Sequence, residues 1–411
     1  MKKMLAILVF LVMPLISCNE KDEARLGPAE IKLTPEQVAL IEGSNRFGLN
    51  LFGEVLSQEG ENENVFISPL SVHLALSMAW NGAEGATREE MMQVLGYPDY
   101  DDETINEAIR KLIEDLLTVD TSVETGIANS VWYRDTYPVE QDFLDLNRKY
   151  FGAEISPLNF DNPGAKEIIN DWVARQTNDR IKEIVDRIDP DHIMFLINAI
   201  YFKGVWAREF VAENTRKRPF IHYDGSSQDV MTMETEGDFG YAGMDGYRVA
   251  ELPYGRGNYS MLLFLPDEEV GVNEMISRID EDTWKDLPGS LANKQKLLLR
   301  LPKFTVEYES NLNVSLKNLG MKDAFAPVMA DFTRINKNRE LFISRVRHKS
   351  FVEVNEEGTE AAAVTSVDIR LVSYDPDEPQ VIVFYVDRPF VFAIKEKFTN
   401  SLVFIGRIME P

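Results

Sequence analysis

Apolar residues in the first half of the chain recur at the three- and four-residue spacing of amphipathic helices. Thr34-Pro35-Glu36-Gln37 predicts a helix start, with threonine as the cap, proline in the first turn and glutamine three residues after the cap. Thr87-Arg88-Glu89-Glu90 predicts a second capping box, and residues 128–133 predict a strand. The apolar positions that mark the helices are Phe47, Leu51 and Val55; Val72, Ala75, Leu76 and Ala79; Met91, Val94 and Leu95; Ile105, Ile109, Leu112 and Leu116; and Ile168, Ile169, Trp172 and Val173.

The second half of the chain carries strand patterns instead. Residues 193–202 form a nearly unbroken apolar run with one polar residue, Asn198, which predicts a strand buried on both faces. Residues 397–400 predict a hairpin turn. Helices early and strands late favour an α+β fold. The other predicted strands are residues 259–265, 296–301, 381–386, 390–394 and 402–405.

A third pattern lies between residues 356 and 370, where small residues alternate with polar ones and no proline interrupts the run. Period two with one small, apolar face is typical of a half-buried strand, and every amide could join a ladder. One set of alternate residues is small or apolar: Thr359, Ala361, Ala363, Thr365, Val367 and Ile369. The interleaved set is mostly polar: Glu360, Ala362, Val364, Ser366, Asp368 and Arg370.

Length and charge limit the classes of function. The 411 residues suffice for a large core, and we expect one globular domain of about 375 residues after an N-terminal extension. A formal charge of −25 repels nucleic acid and anionic membrane surfaces, so neither is an expected partner by direct contact.

The N-terminus predicts export and lipidation. Lys2 and Lys3 precede an apolar run at residues 4–16, as in secretory signal peptides. Leu15-Ile16-Ser17-Cys18 resembles a bacterial lipobox, and Cys18 is the single cysteine. We therefore expect a signal peptide at residues 1–17, a flexible tether at residues 18–33 and the folded domain at residues 34–411. The predicted location is the outer membrane or cell surface, with the periplasmic face as an alternative, held by lipid on Cys18 only.

Several ordered motifs after the tether resemble the serpin family. They are Asn64-Val65-Phe66-Ile67-Ser68-Pro69-Leu70-Ser71, Asn81-Gly82-Ala83-Glu84-Gly85-Ala86-Thr87, Asn198-Ala199-Ile200-Tyr201-Phe202-Lys203-Gly204-Val205-Trp206, Leu301-Pro302-Lys303-Phe304, Phe351-Val352-Glu353-Val354-Asn355, Glu356-Glu357-Gly358-Thr359, Asp387-Arg388-Pro389-Phe390 and Phe404-Ile405-Gly406-Arg407. The resemblance implies a monomeric α+β protein with a large central mixed sheet, further sheets, eight or nine helices and an exposed reactive loop at about residues 356–380. It implies no cofactor and no metal.

The same resemblance assigns positions that control insertion of the reactive loop into the sheet. Ser68, Ser71, Asn198 and His348 match the shutter positions, and Trp206 matches the breach tryptophan. The hinge positions are Glu357, Gly358, Thr359, Ala361, Ala362, Ala363 and Thr365. The resemblance therefore implies suicide inhibition, in which a serine protease forms an acyl-enzyme and is trapped when the cut loop inserts.

The bond to be cut is assigned by its distance from the hinge glycine. Most inhibitory members are cut fourteen residues after that glycine, which gives Val372 followed by Ser373. Valine favours elastase-like proteases, while Arg370, followed by Leu371, would suit a trypsin-like enzyme and Tyr374 a chymotrypsin-like one. The stretch from Val372 to the next motif is longer than in typical members, so neighbouring bonds stay open as alternatives.

The sequence also bears on two other classes of function, a hydrolase and a non-inhibitory binding protein. A hydrolase is disfavoured because the chain has four histidines and lacks Gly-x-Ser-x-Gly, His-Glu-x-x-His and phosphate-loop motifs. We expect no enzymatic activity. A non-inhibitory serpin that acts as a surface binding protein is the alternative, although its hinge would usually carry bulky or charged residues or proline.

Overall fold

The computed structural model describes residues 27–338, 341–359 and 381–411. These residues form nine α-helices and fifteen strands. The helices are α1 (Pro35–Gln58), α2 (Pro69–Trp80), α3 (Gly85–Leu95), α4 (Asp102–Thr118), α5 (Gln141–Phe151), α6 (Ala165–Gln176), α7 (Val272–Ile276), α8 (Glu281–Ser290) and α9 (Asn313–Leu319). The strands are β1 (Val65–Ile67), β2 (Val123–Arg134), β3 (Glu154–Leu158), β4 (Met194–Val205), β5 (Arg216–Ile221), β6 (Ser227–Met244), β7 (Tyr247–Pro253), β8 (Tyr259–Pro266), β9 (Lys294–Pro302), β10 (Phe304–Asn311), β11 (Arg347–Val354), β12 (Gly358–Thr359), β13 (Ile382–Tyr385), β14 (Phe390–Glu396) and β15 (Leu402–Ile408).

The strands form two sheets. A six-stranded sheet has the order β10-β11-β12-β4-β2-β3 and is mixed, because β2 and β3 are parallel while its other pairs are antiparallel. A nine-stranded sheet has the order β1-β15-β14-β8-β7-β6-β9-β13, with β5 paired to β6. The predicted α+β class is confirmed.

Helix α2 contacts both sheets, because it packs against β4 of the six-stranded sheet and β15 of the nine-stranded sheet. Nearly all of its residues are buried. Beside it, Phe66 stacks on Phe392 and Phe404, with ring centroids 5.4 and 5.3 Å apart. The polar residues at the start of α2 are therefore enclosed by apolar packing, and they must find hydrogen-bond partners inside it.

One of the two predicted helix starts is confirmed and the other is wrong. Thr34 caps α1 as predicted: its side chain accepts from the amide of Gln37, whose side chain accepts from the amide of Thr34. The capping box predicted at Thr87 is wrong, because α3 already begins at Gly85. The Thr87 side chain is buried within that helix and accepts from the amide of Asp331 at 2.9 Å.

The run at residues 193–202 forms most of β4, but burial on both faces is confirmed only for part of it. Residues 194–196 and Asn198 are half-exposed, whereas residues 199–202 are buried. Strands β1, β3, β5, β6, β7, β10 and β11 were not predicted from the periodicity. No helix in the described part of the chain has the length and apolar character needed to cross a bilayer.

The described end of the predicted tether lies against the folded body. The amide of Ala29 donates to Oδ1 of Asn258 at 2.8 Å, and Nδ2 of Asn258 donates back to the carbonyl of Ala29 at 2.8 Å. Leu33 packs against the main core. Asn258 itself is fully buried, so residues 27–33 follow a defined path into α1.

Candidate functional site

The central feature of the six-stranded sheet is the two-residue strand β12, which enters between β4 and β11. Gly358 pairs with Val205 and Thr359 with Gly204 on one side, while Thr359 pairs with Val354 on the other. Along the rest of their described lengths, β4 and β11 share no ladder pair with each other. The two strands are therefore separated by a gap that can hold a further strand, and β12 occupies the entrance to this gap.

A cavity of about 210 Å³ lies between the same two strands. Residues 194–200 of β4 and residues 347–350 of β11 contribute to its walls. The start of α2 also lines the cavity, through its N-cap residue Ser68 and through Ser71 and Val72. The cavity places the polar residues of α2 next to the position where a further strand would lie.

Gly358 occupies a conformation that only glycine fits. Its φ is +154°, and a Cβ atom at this position would lie 1.9 Å from the carbonyl oxygen of Gly204. The turn before it is closed by Asn355, whose Oδ1 accepts from the amides of Glu357 and Gly358 at 3.1 and 3.3 Å. The chain can therefore leave β11 and reverse at once into the gap.

Trp206 holds this turn from the end of β4. Its ring Nε1 donates to the carbonyl of Asn355 at 2.9 Å, and its backbone amide donates to the carbonyl of Glu357 at 2.8 Å. The indole stacks on Tyr254, with centroids 4.4 Å apart and planes 14° apart. The breach position assigned from the sequence thus contacts the hinge directly.

Tyr254 also contacts the hinge and was missed in the sequence. Its hydroxyl shares a hydrogen bond with Oγ1 of Thr359 at 2.8 Å, and both side chains are buried. Burial raises the pKa of Tyr254, so the phenol stays protonated at neutral pH. No local signal identifies Tyr254, because Thr359 lies 105 residues further along the chain.

An ion pair fixes the other side of the turn. Lys303 lies 2.8 Å from the carboxylate of Glu356, and the carbonyl of Glu356 accepts from the amide of Phe210 at 3.0 Å. Burial raises the pKa of Glu356, but the hydrogen bonds it accepts, from Lys303 first, and the charge of Lys303 together lower the pKa overall. Glu356 is therefore held as a carboxylate immediately before the hinge.

The four predicted shutter residues do come together, below the gap. The amide of Ser68 donates to Nε2 of His348 at 3.1 Å, and its Oγ donates to the carbonyl of Val403 at 2.9 Å. The hydroxyl of Ser71 donates to the carbonyl of Asn198 at 3.3 Å. Helix α2 is thereby joined to both strands that flank the gap and to β15.

Two groups in this cluster are poised for a change of partners. Nδ2 of Asn198 donates to Oδ1 of Asn129 at 2.7 Å, but Oδ1 of Asn198 is buried and has no hydrogen-bond partner among the described residues. Burial lowers the pKa of His348 to about 4, so the ring is neutral at pH 7 and Nε2 can accept from Ser68. An unpaired buried acceptor costs about 1–3 kcal/mol until a donor reaches it.

A second set of ion pairs crosses the gap and was also missed in the sequence. Asp186, in the segment between α6 and β4, lies 2.7 Å from Arg345 and 3.1 Å from Arg347, at the start of β11. Hydrogen bonding from Arg345 lowers the pKa of Asp186 to about 2. Asn170 of α6 fixes the segment by accepting from the amides of Ile184 and Val185, at 2.9 Å each.

The remaining predicted site residues lie outside the described residues. The hinge residues concerned are Ala361, Ala362, Ala363 and Thr365, and the bait residues are Arg370, Leu371, Val372, Ser373 and Tyr374. Cys18 also lies outside them. Their assignments stay predictions.

Comparison with known proteins places this arrangement in a family. A family model described as "Serpin (serine protease inhibitor)" matches residues 42–411. Iripin-2 of Ixodes ricinus is 37% identical over 380 residues, which are 91% of this chain and 94% of that protein. Human neuroserpin is 36% identical over 367 residues, 87% of this chain and 88% of neuroserpin. The native state of tengpin, a thermophilic serpin, superposes with a TM-score of 0.81 at 33% identity, covering 93% of this chain and 96% of tengpin.

Proposed function

This chain belongs to the serpin family, and on that basis we propose that it inhibits a serine protease in a single-use reaction, in which its own cut loop enters the central sheet. The family is generally one of serine protease inhibitors rather than catalysts, and the expected serpin fold is confirmed. The observation that most supports insertion is β12, which already pairs with both β4 and β11 at the entrance to the gap.

In the proposed reaction, the protease serine attacks the carbonyl carbon of Val372. The bond from that carbon to the nitrogen of Ser373 breaks, and that nitrogen takes the proton that the protease serine gives up. Ser373 therefore becomes a new amino terminus, and residue 372 stays bound to the protease as an acyl ester. Residues 359–369 then extend β12 along the gap. The protease is carried away from its starting position, and its active site is distorted before water can release the ester.

The free energy for this step comes from new strand pairing. Each added backbone hydrogen bond contributes about 0.5–1.5 kcal/mol net, and the buried side chains add to this. A strand of roughly ten residues could therefore contribute on the order of 10 kcal/mol. The inserted side chains must be small: Thr359 already fits closely against Tyr254 and is only 3% exposed.

We further propose an elastase-like target and a lipid anchor. Valine at position 372 suits the small specificity pocket of elastase-like enzymes, with trypsin-like or chymotrypsin-like enzymes as alternatives through Arg370 or Tyr374. Lipid on Cys18 would hold the inhibitor at the outer membrane or cell surface. Ala29, eleven residues after Cys18, is held by Asn258, which also bonds Glu396, so a lipid on Cys18 would tether the domain from this end.

The proposal is tested by incubation with elastase, trypsin and chymotrypsin. We expect an SDS-stable complex with elastase, and a released C-terminal peptide that begins at Ser373. Val372→Arg should shift inhibition toward trypsin, because the carboxylate in its pocket would pair with the new charge. Arg370→Ala, the matched control two positions earlier, should leave elastase inhibition intact.

Other cleavage patterns have distinct meanings. A peptide that begins at Leu371 would make Arg370 the bait residue and trypsin-like enzymes the target. Loop cleavage by every protease without any covalent complex would contradict inhibition and support the non-inhibitory alternative.

A further inference from the structure

The gap between β4 and β11 has a defined register, because β12 already pairs with both strands. Thr359 lies opposite Val354 of β11 and opposite Gly204 of β4. If the antiparallel pairing continues from these two contacts, position 368 lies opposite Arg345 on one side and Phe195 on the other, each nine residues back. Arg345 and Phe195 both line the cavity in the gap. The register therefore fixes which side chain of an inserted loop would meet Arg345.

The side chain that this register brings to Arg345 is an acid, Asp368. Residues directly opposite each other share a face of the sheet, and successive residues alternate between the two faces. The buried pair of Thr359 and Val354 lies on the same face as His348, which bonds the start of α2. Arg345 and Asp368 are each nine residues from that pair, so both belong to the opposite face.

The opposite face of the gap is covered by the segment between α6 and β4. Val185 of this segment packs with Ile197 and Ala199 of β4 in a hydrophobic cluster that also contains Trp172 of α6. Residue 186 follows directly, so an inserted strand would pass beneath the segment at this level. A carboxylate placed there is partly withdrawn from water and needs a cation close by.

Arg345 has one carboxylate partner in the intact protein. Asp186 accepts from Nη2 of Arg345 at 2.7 Å and from Nη1 at 3.3 Å. Within the part of the chain that the structure describes, the next carboxylate along β10, Glu309, pairs with Arg347 and Lys349 instead. Arg345 would therefore lose its counter-charge if the segment moved aside to let a strand enter.

We propose that Asp368 replaces Asp186 as the partner of Arg345 when the cut loop inserts. This inference rests on the proposed function and identifies a positioning residue for the inserted strand. Before cleavage, the pair of Asp186 and Arg345 joins the covering segment to β11 and resists opening of the gap. After insertion, the pair of Asp368 and Arg345 ties the far end of the new strand to β11. The guanidinium keeps a carboxylate in both states, so the restraint on the intact protein is not lost as a penalty on the inserted one.

The register is tested by disulfide formation in a background without other cysteines. Cys18→Ala removes the single cysteine, and Arg345→Cys with Asp368→Cys then adds two thiols at directly opposite positions. Such positions have Cα atoms about 4.5–5.5 Å apart, which suits a disulfide. Both free thiols should be lost in protein cut after residue 369 and retained in intact protein. Arg345→Cys with Val367→Cys is the control, because residue 367 belongs to the other face; an equal or faster disulfide there would contradict the register.

The exchange of partners is tested by melting intact and loop-cut protein at one fixed urea concentration. Double-mutant cycles with Arg345→Gln isolate each pair. Asp186→Asn and Arg345→Gln should couple by about 1–3 °C in the intact protein and not in the cut protein. Asp368→Asn and Arg345→Gln should couple by a similar amount in the cut protein only. Asp368→Glu should retain most of the melting temperature of the cut protein, because it keeps the charge.

Two matched variants are the controls for charge. Asp191→Asn removes the other acid that lines the cavity, and Asp377→Asn removes a loop acid on the far side of the cut bond. Neither should couple to Arg345→Gln in either form. Coupling of Asp191 to Arg345 in the cut protein, or coupling of Asp186 that persists there, would overturn the exchange.

The remaining outcomes separate this inference from the proposed function. A cut protein that melts no higher than the intact protein would overturn insertion and the exchange together. A cut protein that is stabilised but forms no disulfide between positions 345 and 368, or shows no coupling between Asp368 and Arg345, would overturn the exchange alone.

Discussion

Thr359 is the hinge residue for which the structure shows most clearly why side-chain size matters. It lies between Val354 and Gly204, and its hydroxyl is bonded to Tyr254. The sequence predicted a small residue here from period two and from the hinge motif. It could not identify Tyr254 as the partner of Thr359, Asp186 as the partner of Arg345, or Asn355 as the residue that closes the turn. These contacts depend on how distant segments or turns pack, and they carry no periodic signal.

Thr359→Arg should convert the inhibitor into a substrate. A charged side chain would have to enter the space beside Tyr254, at a cost of several kcal/mol, so insertion should be slower than hydrolysis of the acyl ester. The measurement is the number of inhibitor molecules consumed per protease inactivated, which should rise several-fold. Glu360→Arg is the control, because period two places residue 360 on the opposite face. Trapping by Thr359→Arg at wild-type stoichiometry would rule out insertion of this face.

His348 should make the stability of the native state depend on pH. Its pKa is about 4 when folded, against an ordinary value of 6.5, so between these values the unfolded chain binds more protons than the native state. Stability therefore falls as pH drops below about 6.5 and does not depend on this group above that pH. The loss should be roughly 2 kcal/mol at pH 5.

The measurement is the free energy of unfolding at pH 7.5 and pH 5 for wild type and His348→Gln. Glutamine can still accept from the amide of Ser68 but does not titrate. Burial also lowers the pKa of His73 to about 4, and both proteins retain this residue, so it cancels in the comparison. The variant should lose less stability on acidification; an equal loss would show that His348 does not carry the effect.

At the scale of elements, helices α1–α4 and α6 and strands β2, β4, β8, β9 and β13–β15 follow from periodicity. Helices α5, α7, α8 and α9 and strands β1, β3, β5, β6, β7, β10 and β11 do not. The long strand β6 was not predicted, because the residues on its two faces differ too little in hydrophobicity to show a clear period of two. The outward residues Glu234, Glu236 and Asp238 are polar, but the inward set includes Thr235 and Gly237 as well as Met233 and Phe239. Such a strand is fixed by pairing with β5, β7 and β9 rather than by its own pattern.

The segment between α6 and β4 should restrain the separation of β4 and β11, and with it the insertion of the uncut loop into the gap. It joins the β4 side to β11 through Asp186, Arg345 and Arg347. Asp186→Ala should speed spontaneous loss of inhibitory activity on incubation at raised temperature. Because Asp186 is 39% exposed, the pairs should contribute about 1 kcal/mol or less, which corresponds to an acceleration of up to about 5-fold.

Asp161→Ala is the control for this prediction. It removes the partner of Arg134, at 2.8 Å, without touching β11. Equal rates of inactivation for the two variants would show that the ion pairs across the gap do not restrain insertion.

At the scale of the whole molecule, lipidation should decide where the inhibitor is found. Cys18→Ala removes the single cysteine, and with it the acyl acceptor predicted by the lipobox. The variant should leave the membrane fraction or remain unprocessed, while its inhibitory activity should be retained because the gap and hinge are unchanged. Membrane fractionation and the mass of the mature N-terminus check this. Equal membrane association of the variant and wild type would contradict anchoring through Cys18.

Loop insertion is tested most directly by comparing the melting of intact protein with that of protein nicked once within residues 366–376 by a non-target protease. Nicking an exposed loop normally leaves stability level or lowers it. If the cut segment extends β12 between β4 and β11, the gain of roughly 10 kcal/mol in strand pairing should raise the melting temperature by more than about 10 °C. Equal or lower melting of the nicked protein would contradict insertion of the loop into the central sheet.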